Sequence, residues 1–139
     1  MRINMRVSKK AQYGLRAMVY LAKHSSKNKV CPLKKVSEKE NIPFDYLEKI
    51  LSELEAAGLV EAKKGVQGGY FLAKNPEKIT TGEIVRVLES TVPVSCVGCQ
   101  MARICSSKSV WEKVQDSVDS TLDSMTLADL IKSKNVKKK

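Results

Sequence analysis

A mainly α-helical chain with one small β-hairpin and a long helix near its C-terminus is what this sequence predicts, on three observations. Apolar residues recur at three- and four-residue spacing through most of its length. Two helical segments meet at a tight turn around Asn41–Pro43. Directly after them comes "KKGVQGG", flanked by short apolar runs, which reads as a hairpin with a basic, glycine-rich tip. Two helices across a tight turn followed by such a hairpin make a winged helix-turn-helix.

Each element has its own signal. "SKKAQYGLRAMVYLAKH" (residues 8–24) carries Ala11, Leu15, Met18, Val19 and Ala22 as one apolar stripe, with Ser8 as N-cap. "LKKVSEKENI" is a short helix turning Leu33 and Val36 inward. Pro43 suits the first turn of the next helix, which sets Leu47, Ile50, Leu51 and Leu54 on one face. Gly58 stands where a helix needs a left-handed residue to stop. Leu59–Val60 and Tyr70–Leu72 read as the two strands of the wing. Thr80 and Glu83 have capping-box spacing and start a helix to about Ser90. A loop comes next, then "KSVWEKVQDSVDSTLDSM", whose Val110, Trp111, Val114, Val118 and Leu122 form a stripe too long for the compact winged helix to cover. A symmetric partner helix is the simplest cover, so a homodimer is expected. "LADLI" reads as a last short helix. The layout is thus a winged helix over 5–75, a loop and dimerisation helix over 76–131, and a disordered basic tail over 132–139.

Charge points to a partner. The net charge is +10 over 139 residues, and it is uneven. Residues 1–70 hold 14 Lys or Arg against 7 Asp or Glu, residues 71–131 hold 6 against 8, and the tail adds five lysines. A basic excess on the helix-turn-helix half fits double-stranded DNA. No apolar run approaches the roughly 18 residues of a membrane span, and the N-terminus lacks a signal core, so a cytoplasmic protein without membrane contact is expected.

In such a fold the second helix enters the major groove, N-terminal residues first. Those residues include Asp45, Tyr46, Glu48 and Lys49. Glu48 can accept from a cytosine amino group and Lys49 can reach guanine or phosphate. Glu48 also rejects: unpaired beside base acceptors or phosphate, it is repelled. Lys63 and Lys64 on the wing, with Gly65, Gln67 and Gly68, can approach the backbone or minor groove, and Lys9 and Lys10 can add phosphate contacts. A two-fold dimer of such readers would take a palindromic operator.

"SCVGCQMARICSS" sets a different question. Cys96, Cys99 and Cys105 fall within ten residues, and the only histidine is His24. In a reducing compartment a thiol trio points to metal or redox chemistry rather than disulfides. Zinc, an iron–sulfur cluster or an oxidant-sensing thiol all fit, and the fourth ligand stays open among water, Gln12, a nearby carboxylate, Cys31 and His24.

"MRVSKKAQYGLRAMVYLA", "DYLEKILSELEAAGLVEAKKGVQGGYFLAK", "GEIVRVLES" and a cysteine loop running on to "VW" resemble the Rrf family of bacterial winged-helix regulators, over about residues 5–131. Its members include an iron–sulfur cluster regulator, a nitric-oxide sensor and a repressor of cysteine metabolism. The resemblance implies a homodimeric transcriptional regulator with the long helix at the interface. It also implies an iron–sulfur cluster on Cys96, Cys99 and Cys105, with the 2Fe–2S form favoured over 4Fe–4S. The chain departs from the family pattern in a shorter Cys96–Cys99 interval, in Lys108 where cluster regulators place a histidine, and in Gln12 where other members supply an acid.

Two alternatives remain: a regulator of the cysteine-metabolism type that senses through thiols, zinc or a partner protein, and a small iron–sulfur redox protein using the winged helix as scaffold. An enzyme is not expected. "GVQGGY" lacks the strand-then-helix context of a phosphate loop, and no nucleophile–base–acid set is present.

Overall fold

The computed structural model describes residues 7–89 and 107–137. Helix α1 (Lys9–His24) is the element on which most others lie. The Ser8 hydroxyl caps it by accepting the Ala11 amide at 3.1 Å. Ala17, Met18 and Leu21 are sealed from solvent, because the apolar stripe faces helices on more than one side. Gly14 lies in that crowd: a side chain there would strike Leu88.

The turn between the next two helices is built as the sequence suggests. Helix α2 (Leu33–Glu40) ends at Asn41, which takes a left-handed φ of 55°. The Ile42 amide reaches back to the Ser37 carbonyl at 3.0 Å, and the Ser37 hydroxyl donates to the Ile42 carbonyl at 2.6 Å. Pro43 then precedes helix α3 (Phe44–Ala56). Its exit is a Schellman turn. Gly58 has φ 84°, its amide meets the Glu55 carbonyl and the Leu59 amide meets the Leu54 carbonyl, both at 3.0 Å. Leu54 and Leu59 are both buried, the apolar contact that belongs with this turn.

Leu59 leads straight into the hairpin. Strand β1 (Val60–Lys63) pairs antiparallel with β2 (Gly69–Leu72), Val60 opposite Leu72 and Lys63 opposite Gly69. Cys31 adds a third edge that the sequence does not announce: its amide and carbonyl both pair with Tyr70 at 2.9 Å. Gly69 is needed there, since a side chain would come within 2.4 Å of the Cys31 carbonyl oxygen. Cys31 itself is buried.

Helix α4 (Thr81–Leu88) carries the capping box, with Thr80 and Glu83 bonded reciprocally at 3.1 and 3.2 Å. It stops at Leu88, with Glu89 as C-cap. Helix α5 (Lys108–Ser124) buries no residue. Its polar ties to α4 lie toward its C-terminal end. Thr81 donates its amide to the Met125 carbonyl at 2.8 Å and its hydroxyl to the Leu122 carbonyl. Arg86 donates to both Asp123 oxygens at 2.8 and 3.0 Å and to Asp119 at 3.2 Å. That hydrogen bonding holds the Asp123 carboxyl below its ordinary value. The Asp123 contribution to the clamp is therefore complete above the ordinary carboxylate range and is lost as pH falls through the lowered value.

Helix α6 (Leu127–Lys137) corrects one expectation. Residues 132–137, expected to belong to a disordered tail, continue this helix. Lysine is a good helix former and no glycine or proline interrupts the run, so the helix propagates past Ile131. Leu127 lies in the same buried cluster as Met18, Leu54, Val60, Ile79 and Ile84. The hydrophobic core thus runs from the winged helix through α4 to α6 without a break at residue 75.

Leu54 sits where α3, its terminal turn and β1 meet. Leu54→Ala should lower the unfolding free energy by about 2–5 kcal/mol, read as a reduced urea midpoint at constant m-value.

Candidate nucleic-acid interface

Helix α3 buries Leu47, Ile50, Leu51 and Leu54, so its helical geometry turns the intervening side chains outward. Asp45, Glu48 and Lys49 are exposed, as is Phe44 at the first turn. Tyr46 is only half exposed. Its ring meets Tyr13 edge-on, with centroids 5.5 Å apart at 86°. Tyr13 in turn lies beneath Lys9 Nζ at 5.8 Å and Arg16 at 5.4 Å. Tyr46 is thereby a prop between α1 and α3 as much as a group facing a ligand. Lys9 is exposed, whereas Lys10 is half-buried and pairs with Glu53 at 2.8 Å, which ties the first turn of α1 to α3. An ion pair this open contributes about 0–1 kcal/mol, and Glu53 offsets the charge that Lys10 brings to this face.

The wing places its charge at a tip shaped by glycine. Gly65 has φ 114°, and the Gly68 amide bonds to its carbonyl at 3.0 Å. A side chain at Gly68 would come within 2.1 Å of the Lys63 carbonyl oxygen. Lys63, Lys64 and Gln67 are exposed around this turn, and Val66 projects fully into solvent. A cleft of about 400 Å³ separates the wing from Leu33 and Glu55. Tyr70 stands near both carboxylates of α3 that face this side. Burial first, then Glu55 and Glu48, push its hydroxyl pKa up.

Sequence reasoning did not single out Lys34 and Lys35. They are exposed in the first turn of α2. Their signal is position: the first helix of a helix-turn-helix crosses the DNA backbone.

Cys96, Cys99 and Cys105 lie outside the described residues. Among the described residues no three His, Cys, Asp or Glu side chains converge as a metal site. Two of the fourth-ligand candidates are placed by α1. Gln12 lies one turn from Ser8 and its amide donates to the Val7 carbonyl at 2.8 Å. His24 is at the opposite end, its ring tilted at 43° against Tyr20 with centroids 4.4 Å apart. Cys31 is committed to the wing backbone, and burial pushes its thiol pKa up. Along α5, Val110 and Trp111 are exposed, 54% and 39%, while Val114, Val118 and Leu122 are half-buried.

A helix-turn-helix with its partner-facing helix exposed, a glycine-tipped wing and lysines on three adjoining elements define a DNA-binding regulator. Comparison with known proteins gives the particular family. Residues 7–133 match the Rrf2 family, described as iron-dependent transcriptional regulators, and the chain belongs to it. It is 39% identical over 126 residues to the HTH-type transcriptional regulator CymR of Bacillus subtilis, covering 91% of this chain and 89% of that one. It is 34% identical over 136 residues to the regulator IscR of Pectobacterium atrosepticum, covering 95% and 82%. Among solved structures, T. potens IscR superimposes with a TM-score of 0.82 at 38% identity, covering 98% of this chain and 93% of that chain. B. subtilis CymR, the global cysteine regulator, gives 0.77 at 37% identity, covering 94% and 98%. These relatives are transcriptional regulators rather than enzymes. Among the described residues no helix is long and apolar enough to cross a membrane.

If Lys63 and Lys64 each neutralise a phosphate, the double change to alanine should weaken duplex binding for all sequences alike. The slope of log K against log[salt] should fall by about 2, measured by fluorescence anisotropy across a salt series. An unchanged slope would remove the wing from the interface.

Proposed function

We propose that this chain is a homodimeric transcriptional regulator whose operator affinity is set by an iron–sulfur cluster on Cys96, Cys99 and Cys105. The observation that carries the cluster is the donor set itself: three thiolates within ten residues, in the segment joining α4 to α5. Thiolates are the ordinary ligands of such clusters, and three leave one coordination position for a weaker, exchangeable ligand. Bound there, the group would supply redox and ligand-exchange chemistry sensitive to oxidants and iron supply. The likeness to IscR favours the 2Fe–2S form, and 4Fe–4S remains the alternative. The fourth position stays open among water, Gln12, a nearby carboxylate, Cys31 and His24, with Lys108 standing where cluster regulators have histidine.

The homodimer is argued from α5. A 17-residue helix with no buried residue and an exposed valine–tryptophan pair needs a second apolar surface. A copy of the same helix supplies one with two-fold symmetry. Two recognition helices related by that axis would read a palindromic operator in the cytoplasm, with Asp45, Glu48 and Lys49 at base edges and Lys9, Lys63, Lys64, Gly65, Gln67 and Gly68 along the backbone.

The identity to CymR favours a second reading, in which the same thiols act without a cluster. In that case they would be oxidised, bind zinc or answer to a partner protein.

Anaerobic purification of wild type and Cys99→Ala, with an absorption spectrum and iron, sulfide and zinc counts, separates the two. Visible bands with matched iron and sulfide in wild type only are the expected result. A protein that stays colourless after reconstitution yet binds DNA would move the assignment to the thiol or zinc reading. For the dimer, Trp111→Glu should shift the sedimentation coefficient from dimer toward monomer and weaken operator binding.

A further inference from the structure

Glu89, the residue that precedes the three-cysteine segment, is linked to the DNA-reading helix by a short series of contacts. Glu89 is the last described residue before it. Its carboxylate receives the Ser8 hydroxyl and, at 3.4 Å, the Ser8 amide. That same Ser8 hydroxyl accepts the Ala11 amide at 3.1 Å and is the N-cap of α1. In the same first turn, Lys10 holds Glu53 of α3 at 2.8 Å. Tyr13, on the following turn, props Tyr46. The first two turns of α1 thus lie between the end of α4 and the recognition helix and are bonded to both.

We propose that Glu89 is a positioning residue for DNA binding. Through the Ser8 cap it conveys the state of residues 90–106 to the start of α1, and from there Lys10–Glu53 and Tyr13–Tyr46 set the angle of α3. The proposal rests on the reading of the cysteine segment as a sensor. The physical reason is economy of connection. Glu89 is covalently continuous with the segment, so any rearrangement that moves its backbone must stretch or break the bond to Ser8. Loss of that bond frees the cap hydroxyl to rotate and leaves the N-terminal amides of α1 less well held. Side chains on a frayed first turn then hold α3 less firmly. The rest of α4 is held against the movement by Ile84 and Leu88, which are buried in the core, while the Arg86 and Thr81 bonds tie its other side to α5. The displacement is therefore directed at the α1 end.

The test uses the full-length protein and a duplex recovered from a random-sequence pool by wild type. Protein with free thiols is compared with protein alkylated by N-ethylmaleimide, mass spectrometry confirming reaction in residues 90–106. Buried Cys31, with its raised pKa, reacts last. Dissociation constants and amide hydrogen exchange of residues 9–13 and 44–53 are read for wild type, Glu89→Ala and Ser8→Asp. Aspartate preserves an N-cap but repels Glu89, so it separates the latch from the cap. Wild type should change affinity on alkylation by about fivefold or more, the scale of ordinary allosteric coupling, with altered exchange at both segments. In both variants the affinity of alkylated and free-thiol protein should agree within about twofold, with exchange at 9–13 already in the released state in Glu89→Ala. If alkylation changes wild type and both variants by the same factor, the latch is overturned while the cysteine segment keeps its sensing role. If alkylation changes DNA affinity in none of them, the sensor reading fails and the latch fails with it.

Discussion

Everything in this fold leans on the buried face of α1. Ala17, Met18 and Leu21 have no contact with water, and four other helices and the wing draw their packing from this one cylinder. That is why the helix-turn-helix cannot be treated as a unit separate from the helices beyond the wing. Ile79, Ile84, Leu88 and Leu127 complete the same core, so the segment after the wing is part of the DNA-binding body.

Against that burial α5 is the exception. It buries no residue, and a polar clamp of Arg86, Thr81 and two aspartates fastens it to α4. Arg86 and its acids are half exposed, so the clamp adds little net stability. Its value is geometric: a bidentate guanidinium fixes the direction in which α5 leaves the body. In a dimer built on α5, that direction would set the distance between the two recognition helices.

Much of this is legible in the sequence, because the rules involved are local. The Schellman turn needs Gly58, the capping box needs Thr80 and Glu83, and the stripe of Leu47, Ile50, Leu51 and Leu54 needs only helical spacing. Those features depend on residues within a turn or two of each other. Cys31 pairing with Tyr70 is a backbone contact between a loop and a distant strand, and no residue type announces it. Ser8 with Glu89, separated by 81 positions, is equally silent. The C-terminal lysines mislead for a related reason. They suggest solvated, unstructured charge, although lysine extends a helix well once Leu127 and Leu130 anchor the start against α1.

The DNA-facing surface is partly legible for the same cause. Exposure of Asp45, Glu48 and Lys49 follows from which residues must be buried. What periodicity cannot give is how neighbouring elements use the side chains between. Tyr46 and Lys10 stand where DNA-facing residues are expected, yet one braces α1 against α3 and the other pairs with Glu53. Both sit on the surface and both are held by the scaffold. Residues of that kind let a regulator change affinity without losing its fold. Under the proposed latch a slight shift at the start of α1 would re-aim them together, while the buried leucines of α3 keep the fold intact.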